Sequence, residues 1–292
     1  MPLPISLRAA ALATVLLLSL PGCSGSKLVA RGAGPLIEHG VIAMNRETDI
    51  ELARASLPAQ LKMIEALLLA DPGNGPYRVQ AAMGFHGYAL GFVEAEDPAR
   101  ARALYERARE HALLALEKDA GLKRADLLGD LTAFDAAIAR LDTDAVPALF
   151  WAASAWAKWI ELQLDEPARL DELPRVERLM RRVLELDETY YHGGAHVFFG
   201  VYYGGRAPMF GGDFARAEKH FARAAALAPG LLWADVYRAR YLLRQRGERE
   251  AFHAALTGVL AAPAAADPEL NLANALARRQ ATDLLAQEEE LF

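Results

Sequence analysis

A chain of 292 residues and 31.8 kDa with 53% hydrophobic content has ample apolar material for a buried core, which argues against disorder. Its formal net charge of -6 and pI of about 5.7 leave no broad basic surface, which argues against nucleic acid as a partner and against electrostatic attraction to a membrane. Alanine and leucine dominate, glycine and proline cluster between runs, and extended Val/Ile/Thr stretches are missing, so the composition predicts an all-α protein.

In chain order, Met1 to Arg8 forms a short segment with one positive charge, and Ala9 to Leu20 is apolar but too short to span a bilayer comfortably. Residues 1–22 therefore read as an export signal. The following Leu20-Pro21-Gly22-Cys23 resembles a lipobox, with Pro21 where a small residue is commoner. Cys23 is the single cysteine, which rules out an intrachain disulfide and any two-thiol redox or zinc site and makes Cys23 the candidate lipidation site. Two or three acyl chains would hold the mature protein on a membrane almost permanently, at about 0.8 kcal/mol per buried methylene. Ser24 stands where an aspartate accompanies inner-membrane retention in enteric bacteria, which favours the outer membrane. Residues 23–48 hold four glycines and Pro35 without sustained helical periodicity, and are expected to be a flexible tether.

From Asp49 to the C-terminus, runs of ten to twenty helix-forming residues alternate with Asp-Pro, Gly-Asn-Gly and Pro-Gly breaks, the rhythm of stacked helical hairpins. A gapless shift of 116 positions superposes Gly84 on Gly200, Asp97 on Asp213 and Ala99-Arg100-Ala101 on Ala215-Arg216-Ala217. The two glycines suit close helix approach and the two aspartates suit N-caps. A second shift of 35 places Asp213 on Glu248, and a period near 34 is that of tetratricopeptide repeats. The predicted hairpins run from Pro76 to Lys118, Pro147 to Leu186, Thr189 to Ala228 and Leu231 to Leu260. Because 116 is not a multiple of 34, an insertion is expected at about 119–146, with a helix around Leu131 to Leu141. A last helix at about 268–291 is expected to cap the open end of a single tetratricopeptide-like solenoid, residues 49–292.

The candidate binding residues are aromatic. Trp151, Trp156 and Trp159 share one helix but spread over more than one face, so packing and lining roles are both open to each. Phe198, Tyr202 and Tyr203 form a second cluster on the first helix of the third hairpin. Stacked repeats bind on the concave face made by first helices, which favours an apolar groove or channel. The glycine-rich stretch 204–213 is long for a repeat turn and lacks the Lys-Ser or Lys-Thr of a phosphate loop; it is either a wide turn whose glycines adopt positive φ or a loop presenting Arg206, Met209 and Phe210 at a passage mouth or partner surface. His192 and His196 are four apart, yet Gly193 and Gly194 lie between them and no third ligand is near, so no metal is expected. No nucleophile, base and orienting acid can be assembled, and neither an enzymatic activity nor a cofactor is expected.

Five motifs in one order, Phe150-Trp151-Ala152-Ala153, Leu173-Pro174-Arg175-Val176, Tyr190-Tyr191-His192-Gly193-Gly194-Ala195-His196, Gly211-Gly212-Asp213 and Asn271-Leu272-Ala273-Asn274, resemble the TatT family. Its members are tetratricopeptide-containing T components associated with TRAP (tripartite ATP-independent periplasmic) transporters. The resemblance spans nearly the whole mature chain. It implies a periplasmic helical lipoprotein able to form a homotrimer, with a narrow passage in each subunit, that docks the solute-binding P component of the transporter; together with the aromatic first helices it suggests a small apolar solute as the passenger. The alternative is a scaffold lipoprotein for envelope assembly that binds peptide segments on the concave face.

The lipobox reading predicts that Cys23→Ser leaves uncleaved precursor or unlipidated protein. Metabolic acyl labelling checks it, and a normally labelled variant refutes the anchor.

Overall fold

The computed structural model describes residues 23–119 and 121–292; the export signal expected at 1–22 lies outside the described residues, as does the side chain of Cys23. Every regular element among them is helical, in keeping with the all-α expectation. Helices α1 (Cys23–Gly32), α2 (Gly34–Asn45) and α3 (Ile50–Ala70) lead into α4 (Gly75–Tyr88), which a π-turn at Ala89–Val93 prolongs, and α5 (Pro98–Asp119). Two short helices follow, α6 (Arg124–Leu128) and α7 (Leu131–Ile138). Then come α8 (Val146–Glu161), α9 (Pro167–Leu170), α10 (Leu173–Leu186), α11 (Tyr190–Gly204) and α12 (Phe214–Leu227). The last are α13 (Trp233–Tyr237), continued by a π-turn at Arg238–Leu243 into α14 (Arg244–Arg246), α15 (Arg249–Ala261), α16 (Asn271–Ala286) and α17 (Glu288–Leu291). Helices α4 and α5, α8 and α10, and α11 and α12 pack as neighbouring pairs, and α15 packs against α13 and its π-turn.

Side-chain oxygens set the helix starts. Asp49 accepts from the amides of Glu51 and Leu52 at 2.9 and 3.0 Å, and Asn74 from Tyr77 at 3.0 Å. The echoed aspartates do the same: Asp97 takes the Arg100 amide at 3.0 Å and Asp213 the Arg216 amide at 2.9 Å. The echoed glycines are packing sites. A Cβ on Gly84 would meet Leu61 at 2.5 Å, and one on Gly200 would meet the Phe221 ring at 2.7 Å. Helix α8 is apolar almost all round and lies in the middle of the bundle against α4, α5 and α10. By contrast α10 buries one stripe, Val176, Leu179, Met180 and Val183. The segment expected as an insertion folds onto that helix: Leu127 and Phe134 are fully buried, and Arg178 pairs with Asp135 at 2.6 Å.

Two expectations need correction. Residues 23–45 are not a tether but two packed helices. Ala30 and Ile37 are buried, Tyr77 donates to the Ala30 carbonyl at 2.5 Å, and Lys27 and Arg31 reach the buried Asp71 at 3.0 and 2.9 Å. Gly40 serves contact rather than flexibility, since a Cβ there would lie 2.9 Å from the Gln60 amide. The final helix also does more than cap an open end. Ala277, Ala281 and Leu284 of α16 pack into a core with Val236, Phe252 and Leu256, as a cap would. Its first turns reach the other end of the stack: a Cβ on Gly91 would meet Leu276 at 3.0 Å, Asn271 donates to the Arg46 carbonyl at 3.2 Å, and Arg46 pairs with Glu269 at 3.3 Å. The series of packed helices closes on itself.

Gly200→Ala should cost about 1–3 kcal/mol, the usual range for overpacking a core contact. Gly258 lies in α15 with open space where its Cβ would be, so Gly258→Ala should gain up to about 1 kcal/mol of helix propensity. Denaturant midpoints of the two variants should move in opposite directions.

Candidate ligand cavity

Closure of the helices leaves a cavity of about 540 Å³. Apolar side chains make most of the wall: Leu57, Leu61 and Ile64 from α3, Met83 and Leu90 from α4 and its π-turn, Val197 and Val201 from α11, and Leu272 and Leu276 from α16. Both π-turns belong to helices that face it, contributing Leu90, Gly91 and Phe92 on one side and Tyr241 on the other. A π-turn inserts a residue and re-aims those after it, and such turns recur at functional sites. Gly87 also lines the space, and a Cβ there would touch nothing.

A polar stripe interrupts this apolar lining. Ser154, Lys158 and Glu161 stand at i, i+4 and i+7 on α8 and so share one face of it. The Lys158 ammonium donates to Glu94 Oε1 at 2.8 Å and Glu161 Oε2 at 2.7 Å, and Tyr241 donates to Glu161 Oε1 at 2.7 Å. Tyr105 donates to the other oxygen of Glu94. Burial alone would push the Lys158 ammonium down, but Tyr241, Glu161, Tyr105 and Glu94 outweigh it and hold the group well above the usual lysine range. Burial likewise opposes ionisation of Glu161, and Lys158 beside it keeps its carboxyl below the usual range. His86 is pushed down to about 3 by burial and then by Lys158, so it stays neutral where its ring packs against Tyr105 and Trp151.

Of the nine binding candidates, four line the cavity. Trp151 meets Tyr191 edge-on at 4.7 Å; Phe198 and Tyr202 stack at 5.8 Å on α11; and Arg206 lies with its guanidinium 4.1 Å from the Tyr202 ring while its Nε donates to the Tyr202 carbonyl at 3.0 Å. The other five lie elsewhere. Trp156 is a core residue whose indole N–H donates to Glu172 at 2.7 Å. Trp159 is held between the guanidiniums of Arg109 and Arg169 at 4.3 and 4.7 Å. Tyr203 turns to α12, stacking on His220 at 5.9 Å with Arg216 3.9 Å from its ring. Met209 and Phe210 form an outer turn, 82% and 70% exposed.

The motif Tyr191-His192-Gly193 contributes more than its side chains suggested. All three residues are left-handed, with φ of 47°, 59° and 71°. Such a conformation costs about 1–2 kcal/mol at each residue bearing a Cβ, and strain of this kind concentrates at binding sites. The turn places Tyr191 and His192 on the cavity wall. It also breaks the helical relation between His192 and His196, and His196 instead meets Glu188 at 3.0 Å and His220 at 2.9 Å. Gly194 follows because a Cβ there would strike the Phe150 ring at 2.6 Å. The lining groups overlooked in the sequence are Tyr191, Tyr237, Tyr241 and the Lys158 stripe. The readable signal was Ser154, Lys158 and Glu161 at helical spacing in an otherwise apolar helix. Among the described residues, no three His, Cys, Asp or Glu side chains are grouped to hold a metal ion.

In comparisons with known proteins, the family described as TRAP transporter T-component matches residues 46–292. A Treponema pallidum (strain Nichols) protein described only as uncharacterized is 27% identical over 190 residues, which are 60% of this chain. The match spans 59% of that curated relative's length, less than two thirds of it.

Because Trp156 is core and not cavity wall, Trp156→Ala should lower stability by about 3–5 kcal/mol. A melting curve shifted by only a degree or two would contradict that placement.

Proposed function

The chain belongs to the TRAP transporter T-component family, and from that premise we propose that this accessory protein works in the periplasm, held to a membrane by a lipid on Cys23, docks the solute-binding P component and passes a small, largely apolar solute through its cavity. The observation that carries the reading is the cavity itself: about 540 Å³, lined by helices from both ends of the chain and walled mainly by aliphatic and aromatic groups. Cavities of this size are typical small-molecule sites. Leu164 and Leu170 line it while remaining 59% and 44% exposed, which suits an opening to solvent. Arg206 reaches it from the turn that carries the exposed Met209 and Phe210, so a partner seated on that turn would lie beside the solute. No described helix is long and apolar enough to cross a membrane, and an acyl anchor would supply the attachment. The homotrimer belongs to the same reading and rests on the family resemblance. A peptide-binding scaffold is the weaker alternative, because α16 packs on α2 and α3 as well as on α13 and α15 and so closes the series of helices along which an extended peptide would lie.

Two variants test the two parts separately. Gly87→Leu adds a side chain into open space on a helix, so it should fold, keep its complex with the cognate P component and lose at least tenfold in solute affinity. Phe210→Asp should retain solute binding and weaken the complex by at least tenfold, measured by co-purification and crosslinking. Repeated failure of the wild-type protein to form any complex with the cognate P component would sink the proposal.

A further inference from the structure

The cavity lining is amphipathic, and within its polar stripe the charges already meet one another, while Arg206 rests with its guanidinium on the Tyr202 ring. Lys158 is bound by Glu94 and Glu161, and the nearby Arg240 faces the same two carboxylates, so the polar wall is balanced. What it leaves unused is uncharged. Ser154 and Tyr237 line the cavity, their hydroxyls meet no protein partner, and neither oxygen is among the sealed, partnerless polar atoms of the interior. Tyr237 lies within the field of Lys158 and Glu161, next to Tyr241 with ring centroids 5.7 Å apart, so its hydroxyl belongs to the same patch. Burial pushes it up to about 12, and it keeps its proton at neutral pH. A pure hydrocarbon would strip water from these groups and return no hydrogen bond. Beside this stripe an anion would approach Glu161 and a cation would approach Lys158, so neither sign gains there.

We propose, on the reading of the cavity as a solute site, that its ligand is a neutral amphiphile: an aliphatic chain along α3, α11 and α16, with an uncharged hydroxyl or carbonyl head hydrogen-bonded to Tyr237 and Ser154 beside the Lys158 stripe. Tyr237 and Ser154 are the groups that select this head. Neither hydroxyl supports the fold through a hydrogen bond, so removing them tests selection and not folding.

The experiment uses the full chain carrying Cys23→Ser, loaded with the fluorophore N-phenylnaphthylamine and titrated with octanol, octanoate, octylammonium or octane. Octanol should displace the probe at a concentration at least tenfold lower than octanoate or octylammonium. Tyr237→Phe and Ser154→Ala should each weaken octanol about tenfold, leave octane and the melting temperature unchanged, and so remove its advantage. Octanoate tighter than octanol and dependent on Arg206, or octanol insensitive to both substitutions, would overturn the proposal while leaving the cavity a solute site. A wild-type protein that binds neither probe nor octane would overturn both.

Discussion

Helix α16 must satisfy two neighbours at once, and the enclosed interior depends on it. Its alanine-rich face sits in the small core of the last hairpin, where Ala277 and Ala281 are fully buried against Phe252 and Leu256. Its leading residues reach instead to Gly91, Arg46 and the helices at the start of the chain. A stack of hairpins capped only at its end would expose the aliphatic groups of α3, α4 and α11 as a groove, and exposed apolar patches of that kind are a liability in a monomer. Joining the two ends turns the groove into a cavity. Closure also explains why α1 and α2 are packed helices, because the N-terminal end needs a firm surface for α16 to meet.

The wall holds its shape through close backbone contact more than through large side chains. Glycines at 84, 91, 194 and 200 let a leucine or an aromatic ring press against the neighbouring backbone. The left-handed turn at 191–193 works in the opposite sense, spending conformational energy to carry Tyr191 over Trp151 and into the lining. Such a turn persists only where packing on all sides determines it. Here Phe150, Trp151 and Leu227 supply that packing.

Inside this apolar enclosure the Lys158 group is an energetic extravagance unless every charge is met. Removing two ions from water costs several kcal/mol each, and the attraction between them recovers that only when the remaining donors and acceptors are satisfied. Glu94, Tyr105, Glu161 and Tyr241 do so from four separate helical segments. The network therefore fixes the relative placement of α4, α8 and the second π-turn while giving the cavity a polar side.

Much of this was written in the sequence. Alanine and leucine content, the spacing of turn signals and the echo at 116 residues determined an all-helical chain of paired helices, because capping oxygens and helical periodicity act within a few residues of one another. Asp97, Asp213, Gly84 and Gly200 were legible for that reason. The five-motif resemblance pointed to the family that the comparisons show. Only the tertiary structure decided that residues 23–45 fold, since their helices are held by Asp71 and Tyr77 from elsewhere in the chain. It alone divided the aromatic candidates between cavity and core, because a helix surrounded on every side gives each face a partner and the sequence cannot say which. Lys158, Glu94 and Tyr241, 64 and 83 residues apart along the chain in Lys158–Glu94 and Lys158–Tyr241 order, became one group by the same physics: buried polar groups far apart in sequence meet only when the closing of the stack brings their helices together.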